Sequence, residues 1–206
     1  MLQQAIDFKN ESDCLYSILK DLSDSEFESK TLFKNWSFND IIRHLHVWNH
    51  AANLALSCNK NEWENFSNSM LSYFNKGVTL NKFEKEFTKD IKGKKLLVTW
   101  KELYETTTEI FKLENPKRRV KWVGPDMSVI SSISARHMET WAHGQAIFDK
   151  LGLVRKNIDS ILNIVIIGNN TFKWSYKINN INIPEETPYL KLISPSGKIW
   201  LFNNKQ

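Results

Sequence analysis

The sequence of 206 residues has little that staples or interrupts a chain. Two cysteines, Cys14 and Cys58, cannot make a disulfide framework, and they fit a reducing compartment. Both read as inert thiols, because neither has an evident electropositive setting. Glycine and proline are scarce before Gly124, which favours helices over the first two thirds. The longest mostly apolar run, Ile161–Ile167, is too short to span a bilayer. The N-terminal stretch Met1–Asp13 has no positive n-region and no apolar h-region, so no signal peptide is expected and the default location is the cytoplasm. There is no Gly-x-Ser-x-Gly elbow, no Walker A loop and no dinucleotide-binding Gly-rich loop. Arginine is rare, at 5 against 23 lysines, and the net charge is a mild +5. The clusters Lys92–Lys95 and Lys117–Arg119 read as solvated faces. No base-reading element accompanies them, so neither nucleic acid nor a membrane is an expected partner.

What is present is an ordinary globular composition, 41% hydrophobic and 25% charged, on a chain long enough to bury a core. Apolar periodicity predicts five helical stretches: Gln3–Leu22, one starting at Ser37 and running to about Ser57, a looser region of one or two short helices over Asn61–Asp90, Lys95–Leu113, and Met127–Lys150. The second starts on a capping box, with Ser37 as N-cap, Asp40 at N3, and Trp36 placed to staple onto Ile41. Gly152 is placed to end the last. Beyond Asn157 the β-formers take over. Thr171–Ile178 and Tyr189–Ile193 read as strands, and Ser194–Gly197 is a turn joining the latter to Lys198–Phe202 in a hairpin. The expected organisation is a helical bundle over residues 1–155 and a short β-rich segment over 156–206.

The histidines fall in two of these helices. At about 100° per residue, His44 lies within the apolar arc of Ile41, Trp48 and Ala51, whereas His46, His50 and Asn53 lie roughly opposite. In the last helix Glu139, His143 and Arg136 share one face within about 60°, flanked by Ala135, Ala142 and Ala146, and His137 points elsewhere. A carboxylate facing an apolar interior needs partners. One reading is a satisfied polar cluster in which Glu139 pairs with Arg136. The other is a metal site: His44, Glu139 and His143 from two helices make a three-ligand set that leaves a coordination position open. Zinc suits such a set, and nickel, iron and manganese are alternatives. Trp48, Trp122 and Arg136 are candidate pocket residues, with core packing as the alternative for the two tryptophans.

The run Trp36–Leu45 resembles the second-helix signature of DinB/YfiT-like metalloproteins. Val120–Ser128 followed by Ala135–Gln145 resembles, within them, the mycothiol-dependent maleylpyruvate isomerase-like metal-binding family. The C-terminal Pro195–Trp200 is similar as well, so the resemblance covers most of the chain. It implies a mainly α fold, a DinB-like four-helix bundle followed by a small α+β C-terminal segment. It implies one divalent metal, with the family's ligands falling on His44, Glu139 and His143, and chemistry on adducts of a small thiol such as mycothiol or bacillithiol. The expected function is that of a metal-dependent S-transferase or isomerase, or a hydrolase, acting on a small molecule; a homodimer is a further expectation. Two departures argue against maleylpyruvate isomerisation itself. Ala146 stands where many relatives carry an acid, and no arginine follows Arg155. They favour the alternative of a non-catalytic metal- and small-ligand-binding module. The chain also stops soon after Trp200, which reads as a C-terminally short member.

Overall fold

The computed structural model describes residues 1–57 and 59–203; Cys58 and the last three residues lie outside the described residues. Two compact units follow one another, one over Met1–Val154 and one from Arg155 onward. The first contains α1 (Gln3–Leu19), α2 (Phe38–Leu56), α3 (Lys60–Asn75), α4 (Leu80–Phe87), α5 (Gly93–Lys112), the short strands β1 (Arg119–Val120) and β2 (Met127–Ser128), and α6 (Val129–Leu151). α1 and α2 each pack on both α5 and α6, which makes the four-helix bundle, while α3 and α4 lie against α2.

Local chemistry accounts for where these helices begin and end. Ser37 Oγ accepts from the Asp40 backbone N–H at 3.1 Å, and Asp40 Oδ2 accepts from the Ser37 N–H at 2.9 Å, so the expected capping box is formed. The Trp36 ring does not simply pin the helix start; it lies against His44 and His143, with centroids at 5.3 and 5.8 Å. Helix α5 opens at Gly93, whose φ of +58° places its Cα where a Cβ would meet Asp24 Oδ1. That carboxylate accepts from the Lys94 N–H at 2.8 Å, so only glycine fits there. The segment 114–126 between α5 and α6 is drawn in by antiparallel pairing of Val120 with Met127. Ser128 then caps α6, and Gly152 ends it at φ +67°.

The main core joins Phe8, Leu15 and Leu19 of α1 to Ile41 and Ile42 of α2, Trp100 and Phe111 of α5, and Ile133 of α6. A second cluster, Val47, Trp48, Trp63, Phe66 and Phe83, fills the space under α3 and α4. Between the two, no residue of α2 is fully exposed. The side carrying His46, His50 and Asn53, opposite the apolar arc, is therefore covered as well, because α3 and α4 lie over it: His50 meets Phe66 and Phe87 at 6.4 and 5.4 Å.

The C-terminal unit is a small α+β segment, as expected, but one predicted strand departs. Thr171–Ile178 is not a strand; Phe172–Ile178 is helix α8, preceded by α7 (Leu162–Asn170). Phe172 and Tyr176 pack four residues apart with ring centroids at 5.1 Å, and Thr171 Oγ1 donates back to the Ile167 carbonyl at 2.8 Å. These local contacts outweigh the β preference of the residues. The strands are β3 (Leu190–Ile193) and β4 (Ile199–Phe202), antiparallel with Ile193 opposite Ile199, so the hairpin is present but the unit is not β-rich. The described residues include no helix long and apolar enough to cross a membrane.

Two outcomes follow for stability. Ser37→Ala removes the N-terminal cap of α2 and is expected to cost about 1 kcal/mol, read by urea unfolding. Burial, helped by the neighbouring His50, holds His46 down at about 4. The unfolded chain takes up this proton near 6.5 and the folded chain only near 4, so its contribution is present above pH 6.5 and lost on acidification toward 4. A His46→Gln variant should lose less melting temperature than the wild type over that interval; parallel curves would contradict it.

Candidate metal centre

Helix α2 presents His44, and α6, packed against it, presents Glu139 and His143 one turn apart. One ligand atom from each lies within 4.8 Å of the others. Glu139 Oε2 is 2.9 Å from His143 Nε2 and 3.3 Å from His44 Nε2. The His44 ring is buried, while Glu139 and His143 keep part of their surface in solvent. Two imidazoles and a carboxylate on one open face can hold a first-row divalent ion and leave a position free.

Burial by itself would raise the Glu139 carboxyl, but hydrogen bonds from His143 and His44 and the charge of Arg136 outweigh it and hold it well below the usual carboxylate range. Burial would likewise depress His44, yet its bonds to Glu139 and Glu84 leave it raised.

Glu84, on α4, belongs to the centre although no motif singles it out. It has no exposed surface. Its Oε1 accepts from His44 Nδ1 at 2.7 Å and from Trp48 Nε1 at 3.0 Å. A carboxylate there assigns the hydrogen to Nδ1, which turns the lone pair of Nε2 toward Glu139 and His143. The last turn of α4 is held in turn: Thr88 Oγ1 donates to the Glu84 carbonyl at 2.8 Å and accepts from Arg43 Nε at 3.1 Å. Arg43, next to His44 in sequence, thereby ties α4 to α2. A signal for Glu84 existed. In Leu80–Phe87 it shares the apolar stripe of Leu80, Phe83 and Phe87, so an acid falls where a hydrophobe belongs.

Aromatic rings form the walls. Trp36 stacks on His143 at 17° between planes, and Phe33 meets the same imidazole edge-on at 5.0 Å. Neither was read as a site residue. Beside them a cleft of about 520 Å³ runs along Phe33, Ala142, Ala146 and Lys150. Of the candidate pocket residues, Trp48 touches the centre through Glu84. Trp122 stacks on Trp63 at 5.9 Å and lies over the Arg136 guanidinium at 5.2 Å. Arg136 is buried and acts on Glu139 through charge; the carboxylate's hydrogen bonds go to the two histidines. His137 is turned away, with Nε2 at 3.9 Å from Glu11 of α1.

Residues 8–148 match the model of the mycothiol maleylpyruvate isomerase N-terminal domain. The chain belongs to this DinB-like family. The matched span contains His44, Glu84, Glu139 and His143. Two uncharacterized proteins from strains of Mycobacterium tuberculosis, MT0041 and Rv0036c, are each 39% identical over 83 residues, 40% of this chain and 32% of theirs. The aligned stretch thus spans about a third of the length of these curated relatives. No solved structure matches.

For this member of the maleylpyruvate isomerase N-terminal domain family, Glu84→Gln keeps the size of the side chain and removes its charge. Metal affinity, measured by competition with a chromophoric chelator, should fall by about tenfold or more. An unchanged affinity would leave Glu84 as packing only.

Proposed function

We propose that the chain is a divalent-metal-dependent enzyme acting on adducts of a small thiol, by transfer or isomerisation at the sulfur-bearing carbon or by hydrolysis. The observation that carries this reading is the convergence of His44, Glu139 and His143 at a partly exposed face. The family, whose name joins a thiol to an isomerase, supports the substrate class. His44, Glu139 and His143 would hold the ion, with zinc first in order and nickel, iron or manganese as alternatives. When bound, it supplies a Lewis acid that makes water or a thiol more acidic. The chain's own residues do the rest. Glu84 fixes the His44 tautomer, Glu139 keeps a negative charge between the imidazoles, and Trp36 and Phe33 shield the face of His143 from water. The cleft beside Phe33 offers room for the body of the substrate.

A second reading, a non-catalytic metal- and ligand-binding module, is favoured by Ala146 and by the lack of any arginine after Arg155. One set of experiments separates the two. Elemental analysis of the purified chain is expected to show a tightly held divalent metal that Glu139→Ala and His143→Ala both lose; metal retained in both variants would overturn the ligand set. The loaded protein is then screened against thiol-conjugated electrophiles and simple esters and amides. Turnover abolished by His143→Ala supports the enzyme, and bound metal with no turnover on any of them supports the module.

A further inference from the structure

We propose that Arg136 is the anchor for a carboxylate on the ligand that occupies the face of His44, Glu139 and His143, which rests on the function proposed above and narrows its substrate to an acid. Arg136 is only 4% exposed, and its Nε and Nη1 atoms have no hydrogen-bond partner among the described residues. Leaving such donors unpaired inside a protein is costly, and more so on a group that stays charged. The Trp122 ring does not relieve this. It covers the face of the guanidinium, whereas the N–H groups radiate from its edge. Glu139, one turn along the same face of α6, gives Arg136 a nearby charge but spends its close contacts on the two histidines.

The charge balance points the same way. Two neutral imidazoles, the carboxylates of Glu84 and Glu139, the guanidinium and a divalent ion leave one net positive charge in a largely buried site. A ligand carboxylate neutralises that charge and supplies acceptors where the free donors are. The aromatic cluster of Trp122, Trp63 and Trp48 is an apolar boundary that raises the worth of such a bond by keeping water away.

Metal-loaded protein is titrated calorimetrically with four probes: mercaptoacetate, mercaptoacetamide, acetate and acetamide. The effect of the sulfur tests the thiol reading, and the effect of the carboxylate tests Arg136, so the two can fail separately. Each acid is expected to bind about tenfold or more tighter than its amide, the scale of one charge-assisted hydrogen bond. In Arg136→Gln the ratio should fall to near unity, and Arg136→Lys should recover only part of it. A ratio unchanged in Arg136→Gln, or equal binding of acid and amide to the wild type, overturns the assignment and leaves the donors to buried water. Where neither variant folds, the acid-to-amide comparison on metal-loaded wild type decides alone: tighter binding of the acid supports the role, and equal binding overturns it.

Discussion

A carboxylate with no exposed surface has to be answered from within the protein, and among the described residues Glu84 is answered by His44 and Trp48, both at Oε1. Much of the first unit can be understood as the means of meeting that demand. Helix α4 must lie close enough to α2 for a 2.7 Å bond, and it is too short to be stable without support. The support comes from Thr88 and Arg43, which lock its last turn, and from Phe83, which enters the aromatic cluster beside it. Arg43 is itself buried, and its other bonds reach Asp40, Asp90 and the Ile91 carbonyl. One polar chain therefore runs from the capping box of α2, through Arg43 and α4, and back to α2 at the histidine.

The aromatic residues complement this chain. Imidazoles left to bundle packing alone could turn about their side-chain torsions. Here His143 is held between Trp36 and Phe33, and His44 between Trp36 and Trp48. The same rings that restrict rotation also thin out water, which strengthens each electrostatic contact inside. The two effects make the three donor atoms a fixed constellation before any ion arrives, and preorganisation of this kind reduces what binding must spend on ordering side chains.

Where the chain announces its structure, it does so through repetition. The bundle helices carry sustained apolar periodicity, and the convergence of His44, Glu139 and His143 follows from two helical wheels facing each other. Ser37 with Asp40, and Gly152, mark helix ends through bonds local enough to read from neighbours. Glu84 sits on a helix of eight residues in an irregular stretch, and its partner is forty residues away. Nothing local links the two. The pair Val120–Met127 is likewise too brief to register as strands. Thr171–Ile178 misleads for a different reason. Its alternating aromatic and polar residues follow the strand period, and the helix is made by contacts four residues apart that the alternation hides.

The enclosure of α2 has a kinetic side. A helix whose every residue is at least half covered cannot fray on its own, so its central amides should exchange with solvent deuterium only when the bundle opens as a whole. Among the described residues of the C-terminal unit only Asn163 and Ser194 are buried, and its amides stand at the fast end of the same scale. His44 rides on the slow helix. The lifetime of a bound ion would then be tied, on this side, to the opening of the bundle as a whole, with α2 as the fixed jaw of the clamp.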